Sequence, residues 1–195
     1  MNVREMAAAE RADFADLLAG LTDTQWEALS LCGDWRVGDV AAHVTAYLDR
    51  GRGAFIAALL RDRLRVDRLN ARDVSAHSYS LGEAAGRMRG GMVPHGVGAG
   101  FGGRVALAEC MIHQQDIRRP LALPRSIPAE RLRAALNFVR ASPVIRGGWT
   151  MRGVRLIATD LEWAAGRGKP VWGPGEALLM AMAGRPAAVA DLAAP

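Results

Sequence analysis

Apolar positions recur at helical spacing over the first two-thirds of the chain. Val3, Met6, Phe14, Leu17, Leu18 and Leu21 fall near one face of a helix over 3–20, and Gly20 can stop the run. A short piece follows around 24–29. Asp34 or Trp35 then opens a longer helix, whose stripe runs Val37, Val40, Ala41, Val44, Tyr47 and Leu48 and continues to Phe55, Ala58 and Leu59. Gly51 and Gly53 interrupt it, each costing ~1 kcal/mol against alanine inside a helix. Ser80 and Glu83 have capping-box spacing and start a third helix. Residues 90–102, GGMVPHGVGAGFG, read as a glycine-rich loop. A fourth helix over about 103–119 stops before Pro120, and a fifth, 128–140, carries proline at its first turn.

The pattern changes after Ser142. GVRLIATDLEW (153–163) reads as a strand and KPVWG (169–173) as a second one across a turn at Gly166–Gly168, before a closing helix over 174–184. The expected fold is mostly α, with a helical bundle over 1–142 and a small α+β C-terminal region over 143–195.

Composition narrows the class. Of 195 residues, 50% are hydrophobic and 23% charged, enough apolar material for a core and too much for a disordered chain. No uncharged apolar run approaches the ~20 residues of a membrane span. The first residues, MNVREMAAAERADF, lack the apolar centre of a signal peptide. A cytoplasmic setting with neither membrane nor nucleic acid as partner is the expectation. The formal charge of +5 is almost all arginine, since Lys169 is the only lysine. The densest cluster, RDRLRVDRLNARD (61–73), interleaves aspartates with its arginines and has no aromatic residue on which a base could stack. It reads as a solvated helix end or loop. The five tryptophans read as packing anchors.

Candidate chemistry concentrates in ALAECMIHQQDI. Glu109, His113 and Asp116, spaced by four and three, share one helical face. Two readings stay open: a Glu–His ion pair on a wet face, or two ligands that grip one metal ion. His43 lies on the apolar stripe of its helix, as a core histidine or as a third ligand from across the bundle. Three protein ligands and an open position mark a catalytic ion site. His77 and His95 have no partner at metal spacing. Cys32 and Cys110 are not a metal pair by spacing, and inert buried thiols are the default for both. Gly98, Gly100 and Gly103 match G-x-G-x-x-G, but no strand leads into them, which argues against a dinucleotide site.

Three blocks of the chain resemble one family in the family's order. LSLCGDWRVGDVAAHV (29–44) is similar to the tryptophan-containing turn that opens a helix bearing a metal-binding histidine. ALAECMIHQQDIRRPLALP (106–124) resembles its second metal segment, E-x-x-x-H-x-x-D, and VRLIATDLEWAAGRGKPVWGPGEALLMAMAGR (154–185) its C-terminal block. The family is that of the mycothiol-dependent maleylpyruvate isomerase, whose N-terminal part is a DinB-like four-helix bundle. The resemblance implies that His43, Glu109 and His113 bind a divalent metal, usually zinc. It implies that Asp116 is an acidic catalytic position beside the metal and that Arg185 faces the active site. It further implies mycothiol or a similar thiol as cosubstrate, acting on an electrophilic small molecule by cis–trans isomerisation or S-transfer, in a monomer or homodimer. The C-terminal region is shorter than that of the isomerase itself. Two rival readings are a hydrolase using zinc-bound water, with Asp116 as base, and a non-catalytic metal-binding or regulatory bundle.

Overall fold

The computed structural model describes residues 1–142, 145 and 147–194; the side chains of Trp149 and Thr150 lie outside them. The protein is mostly helical, and it divides into two compact units, Met1–Pro124 and Arg125–Pro195.

The first unit begins with α1 (Val3–Ala19), whose N-terminus is closed by a reciprocal capping box between Asn2 and Glu5. The single turn α2 (Asp23–Trp26) follows, capped in the same way by Thr22 and Gln25. The long helix expected over 36–63 is two helices, α3 (Val37–Ala46) and α4 (Arg52–Arg61). The break at 47–51 falls where Gly51 caps the second helix. No residue of α4 is buried, so Phe55 and Leu59 do not extend the core stripe.

The charged stretch expected to be a solvated helix end or loop contains α5 (Val66–Ala76). Two of its three aspartates are buried against arginines. Asp73 takes a bidentate pair from Arg50, at 2.6 and 2.8 Å, and the buried Asp62 pairs with Arg72. Ser80 caps α6 (Leu81–Gly90) through the box expected with Glu83. The glycine-rich loop ends in a 3-10 turn, Gly100–Gly103, that leads into α7 (Arg104–Arg118).

Helices α1 and α3 each pack on both α6 and α7. The core between them holds Phe14, Leu18, Val37, Val40, Val44, Leu48, Met88, Cys110 and Ile117. Trp26 and Trp35 pack against its edge. A Cβ on Gly38 would lie 2.9 Å from the Trp26 ring, so the glycine makes room for that anchor. The loop is equally fitted to its place. Val97 N–H donates to the Arg50 carbonyl at 3.0 Å. Gly96, at φ +55°, leaves no room for a Cβ, which would meet that carbonyl oxygen at 2.2 Å.

The second unit contains α8 (Ala129–Ala141), the turn α9 (Gly147–Thr150), β1 (Val154–Ala158), β2 (Ala164–Gly166), β3 (Lys169–Gly173) and α10 (Gly175–Met182). A helix expected with the first region, α8, packs instead on α10, and the boundary between units falls at Pro124. The two expected strands do not form a hairpin with each other. Among the described residues the sheet order is β2-β1-β3, with β1 and β3 parallel and β2 antiparallel to β1. The chain returns through β2 because Gly166 and Gly168 take positive φ against the backbone of β1. Among the described residues no helix is long and apolar enough to cross a membrane.

Candidate metal centre

Every residue of α7 from Ala106 to Ile117 is buried except Glu109, which is half-buried. The stripe read from spacing therefore faces inward and opens only at the glutamate. Across from it, α3 presents His43 from the apolar face that seats Val40 and Val44 in the core. The imidazole of His43 is bounded by Trp35 and Tyr47, each ring centroid at 5.2 Å, and by His113 at 4.8 Å in an edge-to-face arrangement.

His43 Nε2 stands 3.5 Å from Glu109 Oε1. One ligand atom each from His43, Glu109 and His113 lie within 4.8 Å of one another. Side-chain exposures of 6%, 18% and 10% describe a sheltered cluster with its carboxylate at the mouth. Two imidazoles and a carboxylate suit a divalent ion of zinc type and leave a fourth position open. The donor set thus fits a metal on its own chemistry.

The surroundings tune these groups. His113 Nδ1 lies 2.9 Å from Asp116 Oδ2, and Asp116 is fully buried. A carboxylate on one ring nitrogen fixes the tautomer and leaves the other nitrogen's lone pair for a metal. The geometry thus makes Asp116 a partner of His113. Desolvation pushes the Glu109 carboxyl above the ordinary carboxylate range, opposed by the nearby charges of His113, Arg11 and Arg50. Burial also drives the Tyr47 phenol well above its usual range, so it stays neutral, in a 2.7 Å hydrogen bond with Asn70 Oδ1. Arg50 stacks over the Tyr47 ring at 5.1 Å.

Glu109→Gln tests the cost of that buried charge. Glu109 carries a folded pKa above its unfolded one, so its contribution to stability is full below the unfolded value and is lost as pH rises through the folded value. At neutral pH the metal-free Gln variant should therefore melt above the metal-free wild type, while binding a divalent ion at least ~10-fold more weakly. Thermal melts in chelator beside metal titrations check both signs.

The sequence reading missed one member of this neighbourhood. Cys32 is half-buried, and its Sγ, a His113 nitrogen and an Asp116 carboxylate oxygen also lie within 4.8 Å of one another. Its place in the turn just before Trp35 was the only signal available. Cys110, by contrast, is buried and its thiol is pushed up to about 12, the inert group expected. His77 bonds the Asp73 carbonyl and His95 pairs with Asp49 at the surface. Arg185 belongs to the second unit, where its guanidinium donates to the Ala183 carbonyl at 2.7 Å.

Comparison with known proteins gives one family. The model of the mycothiol maleylpyruvate isomerase N-terminal domain matches residues 7–118, more than half of the chain, and the match spans His43, Glu109, His113 and Asp116. No curated protein and no solved structure matches.

Proposed function

Because the chain belongs to the family of the mycothiol maleylpyruvate isomerase N-terminal domain, we propose that it is a metal-dependent enzyme that uses a low-molecular-weight thiol of mycothiol type. Its first unit is read as a DinB-like four-helix bundle made of α1, α3, α6 and α7. The observation that carries the proposal is the convergence of His43, Glu109 and His113 from two helices on one sheltered point. These three residues would hold the ion, which we take to be zinc; when bound it would lower the pKa of a thiol from its ordinary value of ~8.5 and fix the sulfur in place.

The chain's own groups then have separate tasks. Asp116 holds His113 in one orientation and tautomer. Trp35 and Tyr47 wall His43 with apolar rings and keep water from its faces. Glu109, at the mouth, lies on the side from which thiol and substrate arrive. The activated sulfur adds to an electrophilic carbon of a double bond, which becomes single and rotates. Expulsion of the sulfur would restore the double bond and give isomerisation, and retention of the sulfur with transfer of the thiol's proton to the adjacent carbon would give an S-conjugate. Arg185 as the clamp of a substrate carboxylate is proposed on the family resemblance only. Small molecules in the reducing cytoplasm are the proposed partners, with the enzyme a monomer or homodimer.

The test is a titration of cobalt-loaded protein with a low-molecular-weight thiol, in a Cys32→Ser background that removes the neighbouring sulfur. A sulfur-to-cobalt charge-transfer absorption should grow to one equivalent and vanish in His43→Ala. Turnover without thiol and without that absorption would replace the proposal with the hydrolase reading. Absence of bound metal would replace it with a non-catalytic one.

A further inference from the structure

The second set of donors, Cys32, His113 and Asp116, has chemistry of its own. Its atoms lie within 4.8 Å of one another, a separation that small side-chain movements convert to common ligation of one ion. Its frame is built rather than loose. Leu31 N–H donates to the Asp116 carbonyl at 2.9 Å, which ties the cysteine turn to α7 beside the carboxylate. Cys32 N–H donates to Ser30 Oγ at 3.0 Å, Ser30 Oγ donates to the Trp35 carbonyl at 2.8 Å, and Trp35 N–H donates back to the Cys32 carbonyl at 3.2 Å.

We propose that Cys32, His113 and Asp116 form a second metal site, selective for thiophilic ions and exclusive of the first. Sulfur makes the difference. The set of His43, Glu109 and His113 offers only nitrogen and oxygen, whereas a thiolate favours soft ions such as Cd²⁺. Binding replaces the thiol proton of Cys32 with the ion and releases that proton to solvent. Exclusion follows from the shared ring. A neutral imidazole has one nitrogen with a lone pair. With its Nδ1 hydrogen on Asp116, His113 offers Nε2 to the first set; to serve the second it presents Nδ1, carries the hydrogen on Nε2, and leaves the first. A thiophilic ion therefore acts as an antagonist of the proposed zinc site by capturing one of its ligands.

The experiment is a Cd²⁺ titration of the full-length, metal-free protein followed by thiolate-to-cadmium charge-transfer absorption. The wild type should saturate at one equivalent. The absorption should disappear in Cys32→Ser, need at least ~10-fold more Cd²⁺ in Asp116→Asn, and persist in His43→Ala and Cys110→Ser. Circular dichroism confirms that each variant is folded, and Glu109→Gln replaces His43→Ala if the latter is not. No absorption in the wild type, its persistence in Cys32→Ser, or its loss in both His43→Ala and Glu109→Gln with Asp116→Asn unaffected overturns the proposal. Because His43 and Glu109 serve only the first set, failure of the thiol-dependent reading leaves these outcomes unchanged.

Discussion

Replacing His113 with alanine should strip the protein of the divalent ion proposed for the centre. Loss of an outer partner of a metal-bound histidine typically costs 10–100-fold in affinity. His113 is itself one of three donors, so its removal should exceed that range, to ~100-fold or more, and leave purified protein with little metal where the wild type carries about one ion per chain. The two remaining donors, His43 and Glu109, stand 3.5 Å apart and cannot close a site alone. The same change withdraws a hydrogen-bond partner from the fully buried Asp116, a further cost of roughly 1–3 kcal/mol. The variant should therefore lose both metal and stability, and it is the one substitution that empties both donor sets. His95→Ala removes an imidazole paired only with Asp49 at the surface and should alter neither quantity. Metal analysis after identical purification, with denaturant unfolding of the same samples, makes the comparison. A His113→Ala protein that kept a full complement of metal would remove the basis of the site.

The centre of this site was legible because its signal is local. Glu109, His113 and Asp116 sit on one helix, and spacings of four and three fix their common face without knowledge of anything else. His43 was ambiguous from its own helix, since a histidine among Val40, Val44 and Tyr47 reads equally as core. The family resemblance read it as a ligand, and the packing of α3 on α7 brings its ring centroid to 4.8 Å from that of His113. Cys32 was invisible for the opposite reason. Its contact with His113 depends on how an irregular turn docks on α7, and a turn carries no periodicity to read. The same distinction explains the fold. Capping boxes at Ser80 and glycine stops announced helix ends, whereas the break at 47–51 depends on Tyr47 and Leu48 turning into the core. The pairing of β1 with β3 depends on a short strand of alanines and glycine, which has no hydrophobic alternation. α5 was obscured by its charges Arg72 and Asp73, whose partners Asp62 and Arg50 are brought to them only by the fold.

Arg11→Ala should produce the largest loss of stability of any single charge removal in the first unit, about 3–5 kcal/mol in the metal-free protein. Arg11 is 2% exposed, and its Nη1 donates to the Gly91 carbonyl at 2.6 Å. Its charge also opposes the cost of burying the Glu109 carboxylate. Gly98 lies so close that a Cβ there would come within 2.6 Å of Nη2. One buried cation on α1 thus bonds the start of the glycine-rich loop at Gly91, lies against Gly98 within it, and offsets the charge of Glu109 on α7. Removing it leaves the Glu109 carboxylate short of compensating charge and the loop short of an anchor. The first deficit has a substitute, because a divalent ion held by His43, Glu109 and His113 supplies positive charge at the same carboxylate. The second has none. Saturating metal should therefore recover part, but not all, of the stability lost in Arg11→Ala, and should stabilise the variant by more than it stabilises the wild type. Arg89→Ala provides the contrast: its pair with Asp16 is exposed on both sides, and pairs of that kind contribute no more than ~1 kcal/mol. Urea unfolding of the three proteins with chelator and with metal reads out all of these differences. Equal losses in Arg11→Ala and Arg89→Ala, or a deficit indifferent to metal, would mean that the buried arginine is packing material and has no electrostatic link to the centre.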